Sequence, residues 1–278
     1  MAESRLKPSV VLLCHEDDPL DVEGLSAWLA TSMRLVGVVA IRSSWKRSWR
    51  AVRREYRRTG FIGLIDVLAF RLYYQMFLAA RDAAWTRGEI TRLQRIYPGR
   101  PDQAAQLQVT DPNDREVRTF LEALRPDLVI ARCKVLLRPE IFDIARAGTF
   151  ALHPGICPEY RNAHGCFWAL VHRDRSRVGM TVLKIDRGVD TGAVFLHASC
   201  ACDEVRDTHI TIQHRVVTES LDAIADVLAG VARGRATPLR TDGRASAVWG
   251  QPTLSAYLRW KRAARRERQH AAHLTAVP

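Results

Sequence analysis

Four short apolar runs constrain this chain more than any other feature. Val10–Cys14, Leu35–Ile41, Leu128-Val129-Ile130-Ala131 and Gly148–His153 carry almost none of the alternating polar residues that a solvated strand face needs. A strand apolar on both faces must be covered on both, and parallel strands between two helical layers meet that demand. Between the first two runs, Val22–Ser32 has helical character, with Asp21 placed to cap it, so the opening reads as a β-α-β unit with parallel strands. Arg115–Leu124 and Ala163–Arg173 read as helices, and Met180–Asp186 and Val194–Ser199 as strands. Ile210, Val217, Leu221, Ile224 and Leu228 fall near helical spacing, which predicts one amphipathic helix over Ile210–Arg233. Gly99–Asp114 is polar and rich in turn residues and is expected to be a loop. The pattern is α/β, with a mostly parallel central sheet and helices on both faces.

Several function classes drop out. The first strand runs into Cys14-His15-Glu16-Asp17-Asp18, an acidic turn that repels the pyrophosphate a dinucleotide site must hold. Met1–Pro8 lacks a basic stretch followed by an apolar run, so no export signal is expected and the cytoplasm is the expected compartment. Phe61–Ala80 is the longest apolar stretch, but it contains Asp66, Arg71 and Gln75. Burying a charge at a bilayer centre costs roughly 2.5–3.5 kcal/mol, so no transmembrane span is expected. The cysteines include no C-x-x-C pair, and Cys157 and Cys166, near His153 and His164, are too far apart for a structural zinc knuckle, so no metal is expected.

The formal charge of +12 favours anionic partners. Much of it falls in Arg42–Gly60, where Trp45 and Trp49 interleave eight Lys/Arg against the single acid Glu55. With Phe61–Ala80 this looks like a helical insertion over about residues 42–98. Two uses are open for it: contact of the Arg42–Arg58 patch with an anionic partner, or a basic solvated helix followed by one packed on the core or on a second subunit in a homodimer. The second is the expectation. Arg259–Arg268 reads as a short basic helical tail.

The chemistry is concentrated in two segments. One is His153-Pro154-Gly155-Ile156-Cys157-Pro158-Glu159-Tyr160-Arg161-Asn162, at the carboxyl end of a strand, where ligands meet an open α/β sheet. The other is Asp186-Arg187-Gly188-Val189-Asp190-Thr191-Gly192, a glycine-punctuated acidic loop. Together they resemble the signature of the folate-dependent formyltransferases, the family of methionyl-tRNA, glycinamide ribonucleotide and sugar N-formyltransferases. The resemblance covers Asp127–Val231 well and the first strand and helix weakly. It implies a Rossmann-like formyltransferase fold, with residues 1–233 as the catalytic domain and 234–278 as a basic C-terminal extension.

It also implies transfer of a formyl group from N10-formyltetrahydrofolate to an amine. By that match His153, with a pKa near neutrality, transfers protons or stabilises the charged intermediate, and Asp190 orients its imidazole and holds a bound water for proton relay. The family carries asparagine two residues before the histidine, whereas this chain has Ala151, and one lost oxyanion donor costs about a hundred- to a thousandfold in rate. Asn162 or His164 is therefore expected to supply a donor, with Asn162→Ala abolishing turnover. The pterin is expected against Val135, Leu136 and Leu137, closed over by Asp186, Gly188 and Val189, with Arg132 and Lys134 toward the glutamate tail. The expected acceptor is a small-molecule amine: an amino sugar, an amino acid or a biosynthetic intermediate. Transfer RNA ranks second, because the residues after Arg233 are few for the further domain of about a hundred residues that the tRNA enzymes carry. The alternatives are deformylation by water, acyl transfer or cyclisation without folate, and a non-catalytic member that binds folate or an anion.

Overall fold

A computed structural model describes residues 7–43 and 45–275 and, for residues 45–48, 50, 51, 274 and 275, the backbone alone. Met1–Leu6 and the side chain of Trp45 lie outside the described residues. In chain order the elements are β1 (Ser9–His15), a helical turn Leu20–Leu25 leading into α1 (Ser26–Ser32), β2 (Arg34–Ile41), α2 (Trp45–Phe77) and α3 (Ala79–Ile96). Then come β3 (Ala105–Val109), α4 (Arg115–Leu124), β4 (Leu128–Arg132), α5 (Pro139–Phe142), β5 (Gly148–His153), β6 (Arg161–Asn162) and α6 (Gly165–Val171). The rest is β7 (Gly179–Lys184), β8 (Val194–Ser199), α7 (His209–Thr218), α8 (Leu221–Ala232), β9 (Val248–Trp249) and α9 (Leu254–Thr275).

Seven strands form one sheet in the order β3-β2-β1-β4-β5-β7-β8. The first five are parallel, and β7 and β8 are antiparallel to their neighbours. The apolar runs explain the layering, because alternate residues serve opposite faces. Val10, Leu12, Cys14, Leu128 and Ile130 join the core containing Trp28, Leu93, Ile212 and Trp260. Val11, Leu13, Val129 and Ala131 join the core under α4 and α5, with Leu121 and Phe142. The chain walks outward from β1 to β3 and returns on β1's other side as β4, so a switch point lies at the carboxyl ends of β1 and β4. The loops there touch, the Lys134 amide donating to His15 Nε2 at 3.1 Å.

Several local expectations give way to longer-range packing. Asp21 does not cap a helix: it is buried, 3.0 Å from the Arg132 guanidinium, which also donates to the Leu152 carbonyl. Arg132 is thereby committed inside the protein rather than toward a ligand. The loop expected over Gly99–Asp114 contains β3, an edge strand whose Ala-Gln-Leu-Gln-Val pattern is apolar on one side only. The helix expected over Ile210–Arg233 is two, α7 and α8, separated at Glu219 and Ser220. The basic tail is half core: Tyr257, Trp260, Lys261 and Ala264 of α9 are buried, and Trp260 Nε1 donates to Glu204 at 2.8 Å.

The insertion forms α2 and α3. Gly60 breaks α2 with φ of 71°, a conformation glycine adopts freely. Beyond it, Val67 and Phe70 are buried, and Phe70 packs on Phe167 of α6, His209 of α7 and Tyr257 of α9. The expectation that this helix is covered holds for that face alone. By length and composition Val52–Phe77 could cross a bilayer.

Candidate active site

β5 delivers His153 to the carboxyl mouth of the sheet, with 7% of its surface exposed. Its Nε2 donates to the Tyr160 carbonyl at 2.8 Å and so closes the turn that follows the strand. The turn is tight because Gly155 and Gly165 meet backbone to backbone. A Cβ on Gly155 would stand 2.6 Å from the Tyr160 oxygen and 2.8 Å from His153 Nε2. Thr181, opposite His153 on β7, fixes the same turn: its hydroxyl donates to the Gly155 carbonyl at 2.7 Å and accepts from the Cys157 amide at 3.0 Å. Since Nε2 carries a proton to Tyr160, Nδ1 is the nitrogen left to titrate.

The acidic loop brings Asp190 to that nitrogen. Asp186 shapes the loop, its Oδ1 accepting from the Gly188 amide at 2.9 Å and the Thr191 hydroxyl at 2.7 Å. Gly192 passes so close to Lys184 that a Cβ would lie 1.8 Å from its carbonyl oxygen, which only glycine tolerates. Asp190 itself adopts a left-handed conformation, φ 51°, and its Oδ2 lies 3.5 Å from His153 Nδ1. The same oxygen accepts from the Asn162 backbone amide at 2.7 Å, which holds the carboxylate on station.

Burial drives an imidazole toward its neutral form. Here the Asp190 carboxylate, the Cys157 thiol and the Tyr160 carbonyl outweigh burial and raise His153 from 6.5 to about 9. The balance favours the imidazolium, so the ring expected near neutrality holds its proton more firmly than a free histidine. A buried cation of this kind stabilises charge developing on an acyl oxygen and carries a proton to give.

The other expected residues divide. Asn162, left-handed with φ of 77°, spends its side-chain amide on the Trp249 carbonyl, so its link to Asp190 runs through its backbone. His164, also left-handed, sits at the start of α6 and turns toward His209, the ring centroids 5.4 Å apart. Burial, with Lys134 nearby, lowers its pKa to about 4. Nδ1 of His164, His209 and His214 are buried without a hydrogen-bond partner. Ala151 packs against Cys157, Leu183 and Val194, an apolar setting. On the expected pterin side, Leu136 is exposed and Val135 half-buried, but Leu137 is buried in the core with Ile141 and Phe142. A cleft of about 440 Å³ opens beside Phe142, Asp143, Lys184, Asp186, Arg187 and Thr191, and of the expected contacts only Asp186 lines it. Gly188 and Val189 sit in the same loop away from that lining.

Sequence reasoning missed the clamp that holds this turn. Glu159 is buried and receives two bonds from Arg244, at 2.9 and 2.8 Å. Trp249 Nε1 donates to the Glu159 carbonyl, Trp168 Nε1 donates to the Gly250 carbonyl, and β9 pairs with β6. A conspicuous Glu-x-x-Asn beside the histidine was the available signal, but its partner lies 85 residues away.

The description "Formyl transferase" belongs to the family model that matches residues 88–228. A methionyl-tRNA formyltransferase of Anaeromyxobacter dehalogenans is 30% identical over 168 residues, covering 58% of this chain and 51% of that protein. One from Chlorobium chlorochromatii is 26% identical over 156 residues, covering 55% and 49%. The chain thus spans about half the length of these curated relatives. Among solved structures, a sugar N-formyltransferase from a Shewanella species superposes with a TM-score of 0.52 at 15% identity, covering 92% of this chain and 87% of that one. Glycinamide ribonucleotide transformylase 1 from Symbiobacterium toebii gives 0.51 at 16%, covering 90% and 100%. The sheet order, the placement of His153 at its mouth and a family match over half the sequence agree: this chain belongs to the formyl transferase family.

Proposed function

We propose that the protein is an N-formyltransferase that moves a formyl group from N10-formyltetrahydrofolate to a primary amine of a small molecule. The observation that carries this reading is the 3.5 Å approach of the Asp190 carboxylate to His153 Nδ1 at the carboxyl end of a parallel sheet. When bound, the donor supplies the formyl carbon. A new C–N bond to the acceptor forms as the bond to the donor nitrogen breaks; the acceptor loses one proton and the departing nitrogen gains one. The His153 imidazolium faces the growing negative charge and has a proton to deliver, and Asp190 keeps it charged and oriented.

The residues present suit such a donor. The cleft beside Asp186 falls within the ordinary range of small-molecule sites, about 300–1,000 Å³, and combines the Phe142 ring with Asp143, Lys184 and Thr191 as polar partners. Methionyl-tRNA is the second reading for the acceptor, supported by the names of the curated relatives and the charge of +12. The test is a mass-spectrometric screen of amino sugars, amino acids and methionyl-tRNA with N10-formyltetrahydrofolate, for the wild type and His153→Ala. Formylated product that disappears in the variant is expected; equal product from both, or none from any acceptor, refutes the reading.

A further inference from the structure

The second half of α2 is mostly apolar, with Arg71 and Gln75 exposed at the edge of its apolar face, and it is covered on one side only. Phe61, Ile65, Leu68, Leu72 and Met76 follow the spacing i, i+4, i+7, i+11, i+15, which places them on one stripe of a helix. All are exposed, from 44% at Leu68 to 67% at Phe61, and neighbouring Ile62 is exposed by 83%. Val67, Phe70 and the Asp66 carboxylate, which accepts from the Ser255 amide at 3.0 Å, bind the opposite side to the body of the protein. From Phe61 to Met76 the stripe runs about 22 Å at 1.5 Å per residue. Soluble surfaces rarely leave so long an apolar patch bare.

Charge decides what covers it. On the other side of the Gly60 break lie the exposed Arg53, Arg54 and Arg57, with Trp49 and Tyr56 exposed among them. Arginine beside exposed tryptophan and tyrosine, next to an apolar stripe, is the composition of a helix that lies in a membrane interface, with aromatic rings at headgroup depth. A second copy of the chain would bring another +12 charge against this one, with no acidic surface on α2 to meet it. A helix crossing the bilayer would have to leave Phe167, His209 and Tyr257, on which Phe70 packs.

We infer that α2 docks the protein on an anionic lipid surface, the Phe61–Met76 stripe lying among the acyl chains and Arg53, Arg54 and Arg57 on the headgroups. The docked helix is anchored to the body of the protein through Phe70 and Tyr74, which pack on His209, the neighbour of His164.

Sedimentation of the full chain with phosphatidylcholine vesicles, with and without phosphatidylglycerol, tests this. Binding is expected with phosphatidylglycerol, weakening as salt rises, with a blue shift in tryptophan fluorescence. Arg53→Gln, Arg54→Gln and Arg57→Gln together should weaken it about a hundredfold, each basic residue contributing about fivefold near a charged surface. Ile65→Glu with Leu72→Glu should abolish it while circular dichroism and thermal melting stay at wild-type values, since both side chains are exposed. Absence of binding, binding indifferent to lipid charge, or a concentration-dependent dimer that Leu72→Glu dissociates would overturn the inference.

Discussion

Replacing Asp190 with asparagine removes a charge while keeping the shape and the acceptor that the Asn162 amide needs. In the wild type, raising the imidazole from 6.5 to about 9 corresponds to roughly 3 kcal/mol of preference for the imidazolium, at 1.36 kcal/mol per tenfold change. Because the folded value is the higher one, that stabilisation is complete below about pH 6.5 and fades as pH rises to about 9. Burial is the largest influence on this ring and persists in Asp190→Asn, so His153 there should titrate at or below its ordinary value. Urea unfolding should therefore show the variant weaker by roughly 2–3 kcal/mol at pH 6, with the gap closing by pH 9.5. An NMR titration of the His153 ring reads the same change directly. At pH 7 the variant lacks the cation, and turnover should fall about a hundred- to a thousandfold. A His153 resonance that still titrates near 9 in Asp190→Asn would refute the reasoning, because another group would then be holding the charge.

Gly155→Ala should break the His153–Tyr160 bond, since the new methyl would stand 2.8 Å from Nε2 and 2.6 Å from the carbonyl oxygen. A loss of about 1–3 kcal/mol in thermal unfolding and a drop in kcat are expected. Asn162→Gly should be mild, with kcat within a few-fold of wild type: glycine keeps the left-handed turn and the backbone bond to Asp190 and loses only the bond to Trp249, about 1 kcal/mol by urea unfolding. This reverses the expectation that the Asn162 side chain is indispensable.

The sheet and the histidine are legible in the sequence because each depends on a local pattern. Val10–Cys14 and Leu128–Ala131 need no partner to read as doubly covered strands, and the spacing of two motifs marks His153 and Asp190. What is lost is set by residues far apart. Asp21 looks like a helix cap until Arg132, 111 residues on, claims it, and Glu159 looks like a surface acid until Arg244 does. Edge strand β3 is hidden because one of its faces is wet. The break between α7 and α8 is hidden because apolar spacing runs across it. In α9 the arginines mask a stripe at i, i+3, i+7, Tyr257, Trp260 and Ala264, that was open to the same reading as any other amphipathic helix. The charge state of His153 is legible to no local pattern, since it arises from a balance between burial and a carboxylate that only the fold brings near.

The Glu159–Arg244 pair and the two indole bonds to the backbone mean that the turn after His153 is finished by chain that lies beyond the family match, which stops at residue 228. During synthesis, then, the strand bearing His153 can be in place while its turn still waits for a stretch made some ninety residues later. An excised core ending at the family boundary would keep the strands of its sheet and lose the brace on the corner that follows His153.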